Sequence, residues 1–239
     1  MGIDINSDLG EGSGADAAIM QFISSCNIAC GGHAGDEKSM LATIKYAIKH
    51  QVNIGAHPSY PDPANFGREV MDISMEALEA SLVRQLSFFN RLLTAHNARL
   101  HHIKAHGALY NESAFNVSIA SLLVQIMKQH YPGTLLFVPD GSVIAELAKK
   151  EGIPVWHEIF ADRNYEDNLK LVNRKKNNAV LTDEAEVMKH LGLMIDEGKV
   201  RTISGNLLPI KADTVCIHGD NQSALNLAKA INKLVRSKD

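Results

Sequence analysis

The sequence predicts an α/β fold and, within that class, an incomplete or distorted βα barrel. Three observations carry the expectation. About seven short apolar runs alternate with stretches of helical period, a pattern that demands parallel pairing through right-handed crossovers. Polar groups close most of those runs: Asp8, His33, His57, His106, Glu158 with Arg163, and His218. A barrel gathers its strand ends round one mouth, whereas an open sheet scatters them along an edge. Finally, 239 residues with 45% hydrophobic content suit one barrel domain spanning residues 1–239.

The elements follow in order. Ile3 to Ser7 alternates apolar and polar and reads as the first strand, followed by a glycine-rich turn carrying Asp8 and Glu11 just beyond Asn6. Cys26 to Ala29 is the second, leading through Gly31 and Gly32 to His33 and Asp36. From Glu37 to His50, Met40, Leu41, Ile44, Ala47 and Ile48 share a helical face, and Asp36 stands where an N-cap would. Val52 to Ala56 is the third strand, ending at His57. Residues 58–72 hold three prolines, Asn65 and Gly67, an ordered loop or lid with Phe66 and Arg68. A long helix runs from Ser74 to His96, with Leu78, Leu82, Leu86, Phe89 and Leu93 along one side.

Leu100 to Lys104 is the fourth strand, with Lys104 and His106 two apart and therefore on one side. A helix over 118–130, a strand over Leu135–Val138, and a helix over Ser142–Lys150 closed by Gly152 come next. Val155 to Phe160 is the sixth strand, carrying Glu158 and followed by Asp162 and Arg163. Asn164 to Val180 lacks a period and reads as an excursion; its Arg174-Lys175-Lys176 run reads as a solvated loop. A helix over Asp183–Glu197 carries acids in its first turn. A short extra strand over Val200–Ser204, the last strand Thr214–Ile217 and a helix over 224–235 complete the chain.

Bulk properties exclude several classes. A net charge of −3 offers no field for nucleic acid or an anionic membrane. No apolar run is long enough for a membrane span, and no basic head precedes an apolar leader, so a cytoplasmic protein is expected. Three cysteines without a framework of spacings read as small buried hydrophobes. No Gly-x4-Gly-Lys-Ser/Thr run exists to cradle a phosphate.

His50, His96, His130 and His190 lie on helices and read as surface residues; His33, His57, His106 and His218 adjoin glycine or proline at turns, where sites are built. Two chemistries fit. Carboxylates and histidines could hold a divalent metal, although no compact His-x3-His pair fixes a ligand set. Alternatively a carboxylate or His acts as general base without metal, while Lys104 or His218 stabilises an oxyanion. Lys104 could instead bind a substrate carboxylate.

Seven stretches resemble the motifs of the LamB/YcsF family: Asp4 to Gly12, Asn27 to Asp36, Gly55 to Asp62, Phe66-Gly-Arg68, Lys104 to Asn111, Phe160-Ala-Asp-Arg163 and Cys216 to Asn221. They occur in unbroken order along nearly the whole chain. The resemblance implies a distorted seven-stranded, TIM-like barrel of the glycoside hydrolase/deacetylase type. It also implies ATP-dependent opening of the cyclic amide 5-oxo-L-proline to L-glutamate, with partner subunits B and C and with ATP bound here or on a partner. The candidate catalytic residues are then Asp8, His33, Asp36, His57, Lys104 and His106. The candidate substrate-binding residues are Asn6, Glu11, Arg68, Tyr110, Glu158, Arg163, His218 and Asp220. The rival expectations are a metal-dependent deacetylase or amidohydrolase acting alone, and a non-catalytic substrate-binding subunit.

Overall fold

A computed structural model describes residues 2–219 and 223–236. Asp220 lies outside the described residues. Six strands, β1 (Asp4–Leu9), β2 (Ser25–Ala29), β3 (Asn53–His57), β4 (His102–Ile103), β5 (Leu135–Pro139) and β6 (Val155–Phe160), pair in parallel in sequence order. A two-stranded antiparallel hairpin follows, β7 (Lys199–Arg201) with β8 (Leu207–Pro209). Strand β9 (Thr214–His218) then inserts between β6 and β1 and closes the barrel.

Helices fill the crossovers: α1 (Asp16–Ile19), α2 (Glu37–His50), α3 (Met75–Ala95), α4 (Gly107–Ser113), α5 (Val117–His130), α6 (Val143–Lys150), α7 (Glu184–Glu197) and α8 (Ala224–Arg236). Their starts follow from side-chain caps. Asp36, Ser74, Asn116, Ser142 and Asp183 each accept from a backbone N–H of the first turn, satisfying donors that the helix itself leaves free.

The two faces of the barrel strands differ in kind. One set of alternate residues is apolar and buried against the helices: Ile5, Ile28, Ile54, Ile103, Ile159 and Val215. Burying such a side chain stabilises by about 1.5–3 kcal/mol, so this shell between strands and helices is the principal core. The other set points inward and is polar. Asp8 lies beside Asn27, Asn27 beside Gly55, Gly55 beside His102, and, on the closing side, His218 beside Asp8. Barrel interiors are commonly filled by branched apolar residues; here hydrogen bonds fill the space. Asn27 donates to Asn6 Oδ1 and Asp8 Oδ1, both at 2.7 Å, Asn6 donates to Glu158 Oε1 at 2.9 Å, and His102 Nε2 donates to Asn27 Oδ1 at 2.7 Å. In this setting the ring of His102 stacks on Phe137 at 3.9 Å, and a Cβ at Gly55 would lie 2.1 Å from it.

Several expectations change. The fourth strand narrows from Leu100–Lys104 to His102–Ile103, because only those residues pair with both neighbours. Helix α4 was hidden by its length and by Gly107 at its start, and its N-cap His106 makes no side-chain cap bond. The extra strand near residue 200 is one arm of a hairpin, and it ends at Arg201 because residues 202–206 form the turn. His190, expected at the surface, is half-buried and donates from Nε2 to the Arg163 carbonyl at 3.0 Å.

Candidate functional site

The C-terminal ends of the barrel strands surround a hollow of about 750 Å³. Asp8, Glu11, His57, His106 and His218 line its deeper part, and Arg68, Arg163, Arg174 and Lys175 bring positive charge to it. Asp8 ends β1 with both oxygens placed. Oδ1 accepts from Asn27 and, at 2.8 Å, from Lys104; Oδ2 lies 3.3 Å from His57 Nε2. Burial alone would raise the Asp8 pKa, but His57 and Lys104 outweigh it and hold the carboxyl well below the usual range. Asp8 is therefore an ionised acceptor with one oxygen turned toward the histidines.

Lys104 is buried in the barrel interior. Its ammonium lies 2.8 Å from Asp8 Oδ1, 2.9 Å from Glu158 Oε1 and 3.1 Å from Cys216 Sγ. Burial would lower its pKa, but Asp8 and Glu158 raise it well above the ordinary value. Its three protons thus meet internal partners, although Lys104 also lines the hollow. Glu158 neutralises it and, like Asn6, belongs to the interior network, while also lining a smaller hollow with Tyr110 and Phe160.

Beside the histidines, the loop over residues 58–72 is drawn down onto the mouth. The Phe66 carbonyl accepts from His106 Nε2 at 2.9 Å, and the Gly67 carbonyl accepts from Ala108 N at 2.9 Å. Gly67 has φ +63°, and a Cβ there would sit 2.9 Å from His33 Cβ. Only glycine allows this contact. Burial holds His33 and His106 below the ordinary histidine range, His106 well below it with help from His33 and His57.

Beside Asp8, on the adjoining strand, His218 Nδ1 lies 2.9 Å from Asp162 Oδ1. Asp162 is buried, and its carboxylate can only accept, so the proton sits on Nδ1 and Nε2 is left for chemistry. His218 also stacks on Phe160 at 5.3 Å. Asp8, Cys216 and His218 bring donor atoms within 4.8 Å of one another. Glu11, His33, His57 and His106 do the same, so both groups have the composition of a metal site. The Cys216 thiol is pushed well above its usual pKa by burial and by Asp8, and remains protonated.

The mouth brings together Asp8, Glu11, His33, His57, His106 and His218, as expected from sequence. It leaves Asp36 out. That carboxylate is exposed and accepts from Ser39 N at 2.7 Å, while Ser39 Oγ accepts from Asp36 N, a reciprocal cap of α2. Arg163 lines the hollow, but its guanidinium donates to the Ala179 and Val172 carbonyls and so ties down the excursion after β6. Its pKa is lowered to about 10 by burial and by Arg174. Tyr110 lines the hollow too; its hydroxyl, raised well above the usual value by burial and Glu158, approaches Glu158 without a well-formed hydrogen bond. Sequence reasoning gave no site role to Asp162, Asn27, Arg174 or Lys175. Asp162 and Asn27 stand inside the motif stretches and could have been found there. Arg174 and Lys175 carried no signal beyond charge.

A closed parallel barrel with ionisable groups gathered at its strand ends has the build of an α/β-barrel enzyme. The chain belongs to the LamB/YcsF family, whose model matches residues 3–239. It is 40% identical over 229 residues to the A subunit of 5-oxoprolinase from Haemophilus influenzae (strain PittEE), covering 96% of this chain and 94% of that one. It is also 40% identical over 242 residues to the A subunit of 5-oxoprolinase from Bacillus licheniformis, covering 99% and 96%. A crystal structure of a lactam utilization protein from Thermus thermophilus superposes with a TM-score of 0.90 at 34% identity, covering all of this chain and 97% of that one.

Proposed function

We propose that this chain is the A-type component of a 5-oxoprolinase, a hydrolase that opens the cyclic amide of 5-oxo-L-proline to L-glutamate together with subunits B and C and coupled to ATP hydrolysis. The observation that carries the reading is the placement of ionised Asp8 beside the Asp162-held His218 at one mouth, in a chain 40% identical to two proteins named for that activity. Hydrolysis forms a bond between water oxygen and the carbonyl carbon and breaks the ring C–N bond. His218 Nε2 takes the proton from the attacking water and returns it to the ring nitrogen as the C–N bond breaks, while ionised Asp8 orients that water and stabilises the charged imidazole. Asp162 holds the imidazole in the tautomer this needs and stabilises its charged form. The positive groups at the hollow, Arg68 and Lys175 among them, suit the substrate carboxylate. An unstrained five-membered lactam resists hydrolysis, and ATP supplies the driving force; the nucleotide need not sit on this chain.

The test is to combine the chain with subunits B and C and follow glutamate release from 5-oxoproline. The reading expects turnover that requires ATP and all three chains; no glutamate from the complete mixture overturns it. The ligand-type cluster of Glu11 and three histidines favours a second reading, a metal-dependent amidohydrolase acting alone. Turnover of an N-acetyl compound by the single chain without ATP would select that reading.

A further inference from the structure

We propose that Glu11, His57 and His106 form a binding site for a divalent transition-metal ion, with His33 placed behind them to orient Glu11. The proposal concerns metal binding by the chain alone and holds whether or not the chain opens a lactam.

Backbone carbonyls only accept hydrogen bonds. His57 Nδ1 lies 2.8 Å from the Lys104 carbonyl, and His106 Nε2 lies 2.9 Å from the Phe66 carbonyl, so each nitrogen carries its ring's proton. With each ring neutral, the remaining nitrogens, His57 Nε2 and His106 Nδ1, are lone pairs, and they face each other at 3.0 Å. Glu11 Oε1 adds a third acceptor, 3.4 Å from His106 Nδ1 and 4.0 Å from His57 Nε2. Asp8 Oδ2 is a fourth, 3.3 Å from His57 Nε2. Acceptors do not converge in this way without a positive centre among them.

The surroundings match those of a metal site. Ligating histidines donate their other N–H to a backbone carbonyl or carboxylate, and ligating carboxylates are themselves hydrogen-bonded. Both conditions are met, the second by His33. His33 Nε2 lies 2.8 Å from Glu11 Oε1, which can only accept, so that nitrogen carries a proton and is not a ligand. Ring orientation agrees. His33 and His106 stack in parallel at 3.6 Å, 2° apart, so their in-plane lone pairs cannot meet at one ion. His57 stands at 85° to His106, and theirs can. Bonds of about 2.0–2.2 Å in tetrahedral geometry put donor atoms roughly 3.3–3.6 Å apart, and the distances of 3.0, 3.4 and 4.0 Å bracket that spacing.

Two imidazoles and one carboxylate suit zinc, iron or cobalt rather than calcium or magnesium. All three ligands line the hollow, which leaves open coordination positions on its side. Such an ion supplies Lewis acidity there.

The test uses the purified full-length chain, stripped by a chelator and titrated with Zn2+ by calorimetry and with Co2+ by visible absorption, without partners, nucleotide or substrate. One equivalent is expected to bind. His57→Gln and His106→Gln are each expected to weaken binding by about 100-fold or more, and His33→Gln by roughly 10- to 100-fold with the stoichiometry kept. His157→Gln, whose ring faces Asp140 at 3.2 Å, is expected to bind as the parent does. Circular dichroism identifies any variant that does not fold; Glu11→Gln then serves in its place. Absence of saturable one-equivalent binding, the result if a proton alone bridges His57 and His106, overturns the proposal. So does binding that survives both His57→Gln and His106→Gln. Metal uptake without lactam turnover would leave this proposal standing and remove the functional one, and the converse result would do the reverse.

Discussion

At Asp162, one carboxylate determines what His218 can do. Losing it frees the imidazole to take the other tautomer and removes the charge that stabilises its protonated form. Asp162→Asn is expected to lower kcat of the assembled enzyme by roughly 100-fold or more while KM changes little, as read by steady-state glutamate release. An unchanged kcat would place the acid elsewhere. His102 sets a pH dependence of stability. Burial, then His101, holds it well below the ordinary histidine value, so the folded chain keeps it neutral while the unfolded chain protonates it below about pH 6.5. The unfolded state binds the extra proton, so stability falls as pH drops from about 6.5 toward the folded-state value, by up to ~1.4 kcal/mol per pH unit. Denaturant unfolding at a series of pH values should show His102→Gln with a shallower slope in that window than the parent. Neither residue's role was legible in the sequence. Asp162 was seen but not paired, because its partner lies 56 positions away, and His102 sits mid-strand with no glycine beside it to mark a turn.

Elements show where sequence reasoning succeeds. Helix α2 has the expected bounds, Glu37–His50, because Asp36 and Ser39 cap it locally and its apolar face repeats at helical spacing. The same cap accounts for Asp36, which was expected among the catalytic residues. Asp36→Ala is expected to cost about 1 kcal/mol in urea unfolding and to leave kcat unchanged; a large fall in kcat would restore its catalytic role. The loop over residues 58–72 was legible as ordered and functional, but its docking was not, since it depends on two backbone carbonyls meeting His106 and Ala108. Gly67→Ala should push the loop off the mouth by its clash with His33 and its strained φ. Faster amide hydrogen exchange over residues 62–68, together with lower kcat, would report this; parent-like exchange would contradict it. Helix α4 and strand β8 escaped because seven- and three-residue elements carry too little periodicity.

For the whole molecule, the class was legible because strand alternation and polar strand ends are local signals repeated along the chain. Closure was expected from the polar strand ends, but the register that achieves it was not legible, because it depends on β9 pairing with β1 across about 200 residues. The polar interior was also hidden. Alternation shows that one face of each strand is polar, and only the register reveals that those faces meet one another rather than water. Lys104 is the clearest case: its position at a strand end suggested oxyanion stabilisation or, alternatively, substrate binding, and the fold surrounds it with Asp8, Glu158 and Cys216. Removing one member of such a buried ionic group leaves an uncompensated charge, a cost of roughly 3–5 kcal/mol. The interior network and the hollow are therefore one construction, with Asp8 shared between them.

The central claim is that this mouth performs the chemistry rather than delivering substrate to a partner. The direct measurement is the rate of ATP-dependent glutamate formation by the three-subunit enzyme carrying Asp8→Asn and, separately, His106→Ala, each confirmed as folded and assembled. The account predicts that both lose activity, Asp8→Asn by at least about 100-fold. Full activity in both would make the chain a substrate carrier and contradict the account.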